Sequence, residues 1–260
     1  MTAGAELANA DPLGRAVAAR PCGPPAPPAG LAVGVGSVAG PGRAAAEDAT
    51  ICGPVWFAIA DGMGGSRDGG EASATAMEHL RRCDPPATPS AVAGVIAEVD
   101  RAVRRRARQA GAVGMGSTLT GLVPVGHELV LFHIGDSRCY QLVDGRLDLL
   151  TRDHSHVQDL VDAGRVTADA ARSHRLRHVI TRALGSSFET ESVPDVALVT
   201  PSHGRFLLCS DGVTVALGPR SLGRVLAGIG PPTAAAERLV QLAVRAGARD
   251  DVTALVVDRA

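Results

Sequence analysis

Polar and apolar positions fall into blocks along this chain, and the spacing within each block distinguishes strands from helices. Short runs rich in Val, Leu, Ile and Phe at residues 55–60, 129–134 and 206–209 have the length and composition of buried strands. Each runs into an aspartate beside a glycine: Asp61-Gly62, Gly135-Asp136 and Asp211-Gly212. A fourth run reverses the order, with Asp250-Asp251 ahead of residues 252–257. If that last strand is antiparallel to the others, all four acidic positions gather at one sheet edge.

Between the strands the period changes. Residues 71–82 read as a helix, and residues 90–109 as an amphipathic one with Val92, Val95, Ile96, Val99 and Val103 at helical spacing. A strand pair is expected over 117–125 and 128–134, and Asp144-Gly145 predicts a hairpin joining 138–143 to 147–150. Residues 153–183 read as polar and helical with short turns, and a final helix over 233–246 precedes the last strand. Strands neither alternate strictly with helices nor exclude them. The expected class is therefore α+β, with antiparallel sheets flanked by helix pairs.

A single Asp-Gly is an ordinary strand-closing turn. Repetition at four strand ends, together with Glu47-Asp48 after the strand-like run at 31–36, favours a metal site instead. Clustered carboxylates repel one another unless a cation joins them, and hard ions such as Mg²⁺ or Mn²⁺ suit oxygen ligands.

Composition narrows the remaining choices. A chain of 260 residues with 45% hydrophobic content can bury a sizeable core in one large domain. Aromatics make up only 2%, so packing must rest on Val, Leu, Ile and Ala. A net charge of −1 excludes a global attraction to nucleic acid or anionic membranes. The Arg104-Arg105-Arg106 run sits in the amphipathic helix and reads as its solvated face. The five cysteines are odd in number and lack CxxC spacing, which fits a reduced cytosol, and Cys139 and Cys209 read as small buried hydrophobes. With no apolar run near the ~20 residues of a membrane span and no signal-like start, a soluble cytoplasmic monomer is expected. Residues 1–30, rich in Pro, Ala and Gly, read as a disordered lead-in to a folded domain over 31–260.

The order of motifs is more specific than any one of them. Arg43-Ala44-Ala45-Ala46-Glu47-Asp48, Ala60-Asp61-Gly62-Met63-Gly64-Gly65, Gly116-Ser117-Thr118, Gly135-Asp136-Ser137-Arg138, Cys209-Ser210-Asp211-Gly212 and Asp250-Asp251-Val252-Thr253 follow in sequence. Over about residues 31–258 this set resembles the metal-dependent protein phosphatase 2C family of bacterial type. The resemblance implies a central antiparallel β-sandwich with a helical layer on each outer face, a four-layer α-β-β-α arrangement, with two metals at one end. It implies hydrolysis of phosphoserine and phosphothreonine in proteins, substrates of a serine/threonine kinase, by a metal-activated water with two Mn²⁺ or Mg²⁺ ions and room for a third.

The same resemblance assigns roles. Asp61 matches the carboxylate that bridges both metals, the Gly62 carbonyl a ligand of one, and Asp211 and Asp250 the remaining direct carboxylates. Glu47 and Asp48 match acids that hold water around the metals, Arg43 the arginine that grips substrate phosphate, and Asp136 an acid that shares a third metal with Asp211. For Arg43 the alternative is a surface salt bridge. Three positions depart from the family pattern: Ala46 and Asp251 stand where supporting Asn is usual, and Met63 where some members carry a proposed acid His. No general acid can be named from the sequence. His154, in a polar turn, reads as a hydrogen-bonding residue, and the glycines at 64, 65, 69 and 70 read as tight turning beside the metals. Residues 155–184 are expected to border the site and help choose substrates. Two rivals remain: a non-catalytic phosphoprotein-binding regulator on the same fold, which the complete acidic set opposes, and a dinuclear nuclease, which the lack of basic excess and stacking aromatics opposes.

Overall fold

The apolar runs form strands covered on both faces. The computed structural model describes residues 30–185 and 192–260. Its elements in chain order are β1 (Leu31–Val38), β2 (Ala49–Cys52), β3 (Phe57–Ala60), β4 (Gly62–Met63), α1 (Ser66–Arg82), α2 (Pro89–Ala110), β5 (Gly116–Ser117), β6 (Leu119–Val125), β7 (Glu128–Ile134), β8 (Arg138–Val143), β9 (Arg146–Leu149), α3 (His156–Asp162), α4 (Ala168–Ala171), β10 (Asp195–Leu198), β11 (Gly204–Cys209), α5 (Asp211–Ala216), α6 (Pro219–Gly228), α7 (Pro232–Arg245) and β12 (Val252–Arg259). The lead-in expected over residues 1–30 lies, apart from Gly30, outside the described residues.

Among the described residues the strands make two five-stranded sheets, β1-β12-β11-β8-β9 and β10-β7-β6-β3-β2, and a small β4-β5 pair. Strand alternation explains why so many strands are apolar on both sides. Phe57 and Ile59 of β3, Leu129 and Leu131 of β7, and Phe206 and Leu208 of β11 meet Val35, Leu255 and Val257 between the sheets. Their neighbours point outward: Ala58, Ala60, Val130 and Phe132 pack with Met77 and Leu80 of α1 and Ile96 and Val99 of α2. On the other side Leu207 and Cys209 pack with Val213 of α5, Leu222 of α6 and Leu239 of α7. Three apolar layers thus separate four structural ones, the α-β-β-α order that the resemblance implies.

Register decides where strands end. β3 and β7 both pair antiparallel with β6, so their C-terminal ends lie at the same end of the sheet. In the other sheet β11 pairs antiparallel with β12, with Cys209 opposite Ala254. The four strand-end acids therefore meet at one end of the sandwich, contributed by two sheets rather than aligned on one sheet edge as the spacing alone suggested.

Most expected elements are present, including the 144–145 hairpin, where Asp144 (φ 50°) and Gly145 (φ 78°) adopt the left-handed pair that a two-residue turn requires. Four expectations need correction. The first helix starts at Ser66, not 71: Gly64 and Gly65 make the turn with φ of 115° and 95°, while Gly69 and Gly70 lie inside α1. Arg104 is buried rather than solvated, ion-paired to Asp100. Asp100 also accepts from the amides of Gly185 (2.8 Å) and Ser192 (3.1 Å), so this charge pair holds the backbone at those two residues. Residues 211–228, not read as helical, form α5 and α6. Finally, Cys139 and Cys209 are buried free thiols as expected and Cys83 is free, but Cys52 is disulfide-bonded, so the cysteines are not all reduced. Among the described residues no helix is long and apolar enough to cross a membrane.

Candidate active site

Each acid is delivered by a strand end and fixed by polar neighbours. Asp61 follows β3. Its amide donates to Thr118 Oγ1 (2.9 Å), and its carbonyl accepts from the Thr118 amide (2.8 Å) and Ser117 Oγ (3.0 Å). The Gly116-Ser117-Thr118 segment thus anchors the metal-motif strand. Gly62 is required by proximity: a Cβ there would lie 2.0 Å from the Gly69 carbonyl oxygen, where α1 crosses β4. Gly69 is required for the same reason, since its Cβ would sit 2.8 Å from the Gly62 carbonyl carbon, with Glu47 Oε2 also at 2.7 Å. These glycines permit close approach of the helix to the acids, which is a different role from the turning expected at 69 and 70.

Asp136 follows β7 in a turn held by His154. The Gly135 amide donates to His154 Nδ1 (3.1 Å), the His154 amide donates to the Gly135 carbonyl (2.7 Å), and His154 Nε2 faces Asp195 Oδ2 at 3.0 Å. An acceptor Nδ1 places the ring proton on Nε2 in the neutral form. Beside it, Arg138 holds Asp153 bidentately at 2.8 and 2.6 Å. Asp211 opens α5, and Ser210 before it donates to Asp48 Oδ2 (2.8 Å) while accepting from the Thr253 amide (3.0 Å).

Asp251 organises the remaining side. Its carboxylate is buried and accepts the amides of Gly40 (2.6 Å) and Glu47 (2.5 Å), so it ties both ends of the β1–β2 loop to the start of β12. Arg43, in that loop, shares Nη1 between Asp250 Oδ1 (2.8 Å) and Asp251 Oδ2 (2.9 Å), with Nε 3.7 Å from Glu47. Burial works against the Arg43 charge, but Asp250, Asp251 and Glu47 outweigh it and hold its pKa above the ordinary value. Sequence reasoning had Asp251 only as a supporting position. Nothing in the sequence indicated that one carboxylate would bind two amides of a distant loop.

The donors fit hard divalent cations. Asp48 Oδ1 and Asp211 Oδ1 are buried without a hydrogen-bond partner, an arrangement that an unpaired carboxylate oxygen adopts only at a cost. Burial and then neighbouring acids push the carboxyls up: Asp61 well above the usual range, with Asp48, Asp211, Asp136 and Asp250 adding to it; Asp136 to about 8; and Asp211 to about 6. Burial likewise raises Asp48 to about 7, against the hydrogen bonds that stabilise its charge. Such crowding of oxygen donors is relieved by a cation.

A segment from the 155–184 region lies over one side. His178 Nδ1 stands 3.9 Å from Asp211 Oδ2, and a cleft of about 460 Å³ opens between Arg177, His178, Asp211, Arg249 and Asp250. The expectation that this segment borders the acids is met in position.

Carboxylates crowded at one end of a helix-clad sandwich define a protein built to hold divalent metal. The chain belongs to the protein phosphatase 2C family, whose profile matches residues 48–242. It is 40% identical over 230 residues to the serine/threonine protein phosphatase PstP of Mycobacterium tuberculosis, covering 83% of this chain and 42% of that protein, so it spans less than half of that relative's length. The serine/threonine phosphatase stp of Listeria monocytogenes is 30% identical over 210 residues, covering 77% of this chain and 83% of the relative. Among solved structures, the PstP catalytic domain in complex with two manganese ions superposes with a TM-score of 0.77 at 33% identity, covering 88% of this chain and 97% of that one.

Proposed function

We propose that this chain hydrolyses phosphoserine and phosphothreonine in proteins with two Mn²⁺ or Mg²⁺ ions, and that residues 31–260 are the catalytic domain. The observation that carries this reading is the meeting of Asp48, Asp61, Asp136, Asp211 and Asp250 at one end of the sandwich, with Asp48 Oδ1 and Asp211 Oδ1 buried and unpartnered. The two manganese ions in the related PstP domain support the same metal count here.

In this reading Asp61, Asp211, Asp250 and the Gly62 carbonyl would hold the two ions, Glu47 and Asp48 would orient water around them, and Asp136 with Asp211 would hold a third. When bound, the ions supply an acidified water and neutralise charge on the phosphoryl oxygens. The protein's own residues do the positioning. Thr118 and Ser117 hold the Asp61 backbone, and Asp251 holds the loop that carries Arg43 and Glu47. Arg43 grips the phosphate by exchanging its Asp250 contact for a phosphoryl oxygen while keeping Asp251, so substrate binding costs it one ion pair and not its orientation. Met63 replaces the acid His of some family members, so the leaving alkoxide takes its proton from water. The substrates are products of a serine/threonine kinase, and the enzyme works as a cytoplasmic monomer.

The deciding experiment is hydrolysis of a small phosphate ester and of a phosphothreonine peptide, with and without Mn²⁺. Turnover of both that requires metal supports the reading. Metal-dependent binding of the phosphopeptide without turnover would favour the non-catalytic regulator.

A further inference from the structure

The carboxylate cluster is not the only set of metal-ligating side chains. At the opposite end of α1, His79 and Cys83 lie four positions apart, and Glu98 of α2 faces them. One ligand atom from each, a ring nitrogen of His79, Cys83 Sγ and a Glu98 carboxylate oxygen, all lie within 4.8 Å of one another. His79 Nε2 is itself buried and has no hydrogen-bond partner, being 3.9 Å from Glu98 Oε2. A ring nitrogen removed from water with no partner is an unfavourable state, and a metal ion between these three groups resolves it.

We propose that His79, Cys83 and Glu98 form a second metal site, selective for Zn²⁺, that staples α1 to α2. The ligand set is one nitrogen, one sulfur and one oxygen. Thiolate and imidazole prefer zinc, whereas Mg²⁺ and Mn²⁺ prefer the all-oxygen cluster at the other end. The two centres therefore differ in the ion they select.

Geometry and placement agree with this assignment. Tetrahedral zinc with bonds of about 2.0–2.3 Å sets its ligand atoms roughly 3.3–3.8 Å apart. The His79 to Glu98 separation of 3.9 Å is already close to that. The Glu98 side chain is 57% exposed, so it has the freedom to shorten the longer separations by rotation. His79 and Cys83 also lie in the last turn and C-cap of α1, the helix end whose partial negative charge favours a cation. With three protein ligands, water completes the fourth position.

The site is separate from the carboxylate centre. At a rise of about 1.5 Å per residue, His79 and Cys83 stand roughly 15 and 20 Å along α1 from Gly69, the position that touches Glu47. Occupancy would hold the 84–88 connection and the paired helices together without contributing to hydrolysis. The step balances simply: Cys83 Sγ loses its proton to solvent as the metal–sulfur bond forms, with no redox change.

Cobalt is the probe, because a thiolate-to-Co²⁺ charge-transfer band in the near ultraviolet cannot arise at an all-carboxylate centre. The full chain, saturated with Mg²⁺, is titrated with Co²⁺. The expected result is a band that saturates at one equivalent, vanishes on addition of Zn²⁺, is lost in Cys83→Ser, and needs about tenfold more Co²⁺ or greater in His79→Ala and in Glu98→Gln. Hydrolysis of a small phosphate ester should be unchanged in all three variants. No band at about 1 mM Co²⁺, or an equal band in Cys83→Ser, overturns the site. Should a variant fail to fold, alkylation of Cys83 in the unmodified chain decides: one equivalent of Zn²⁺ should slow it about tenfold or more, and an unchanged rate overturns the proposal.

Discussion

Gly212 and Asp251 are in contact through backbone: a Cβ on Gly212 would lie 2.0 Å from the Asp251 carbonyl oxygen. The start of α5, which carries Asp211, is thereby packed directly on the loop that carries Asp250. Gly212→Ala must push the two apart. Overpacking of this kind costs about 1–3 kcal/mol, or roughly 2–12 °C in Tm for a domain of this size. Because the displaced segments bear two of the proposed ligands, Mn²⁺ affinity should fall with stability. A melting curve and Mn²⁺ isotherm both matching the unmodified chain would show that the contact is not limiting.

Arg43→Ala should act on substrate binding more than on the chemical step. Loss of a charged hydrogen bond is worth about 1.5–3 kcal/mol, equivalent to roughly ten- to a hundredfold in kcat/KM, carried mainly by KM. Steady-state kinetics on a phosphothreonine peptide measures it. Unchanged kinetics would leave Arg43 with only the ion pairs to Asp250 and Asp251.

Asp251→Ala should imitate Arg43→Ala and add a stability loss. The Gly40 and Glu47 amides lose their acceptor, at about 1–3 kcal/mol for each buried group left unpaired. Asp251→Asn keeps an acceptor oxygen and should recover part of both effects. Equal melting and equal KM in the Ala variant would remove Asp251 from the loop-holding role.

Asp136→Ala separates a turn role from a metal role. If Asp136 shares a third ion with Asp211, the variant should bind one fewer Mn²⁺ at millimolar concentration and turn over phosphoprotein more slowly at near-normal stability. A turn role predicts lower Tm and normal activity per folded molecule. Equal Mn²⁺ stoichiometry would take Asp136 out of the ligand set.

His133 should make the fold sensitive to mild acid. It is 2% exposed, and burial, with the His154 ring 4.7 Å away, lowers its pKa from 6.5 to about 4. Between those values the unfolded chain binds the proton and the folded chain does not, so the contribution of His133 to stability is full above pH 6.5 and is lost progressively as pH falls towards 4. The shift corresponds to about 3 kcal/mol at most. Urea unfolding at pH 7 and 5 should show a smaller pH loss in His133→Gln than in the unmodified chain, and identical pH slopes would contradict the assignment.

Local chemistry accounts for what was legible beforehand. Short continuous apolar runs identified the strands, helical spacing at Val92, Ile96, Val99 and Val103 identified α2, and Asp144-Gly145 identified its hairpin, because each signal depends on residues a few positions apart. The ordered acidic motifs likewise pointed to a phosphatase 2C-like chain before any geometry was known. Other features were settled only when remote segments met. The four strand-end acids come from two sheets, so strand spacing could not say that they converge across the sandwich end. Asp251 binds amides 211 and 204 residues away. Arg104, polar in any sequence pattern, is buried beside Asp100, whose carboxylate also takes the amides of Gly185 and Ser192. Gly69 and Gly70 looked like loop residues until α1 was seen to pass against Gly62 and Glu47. Sequence determines the intrinsic preference of each segment, but desolvation, close approach and charge pairing depend on which distant groups share a volume, and only the tertiary structure decides that.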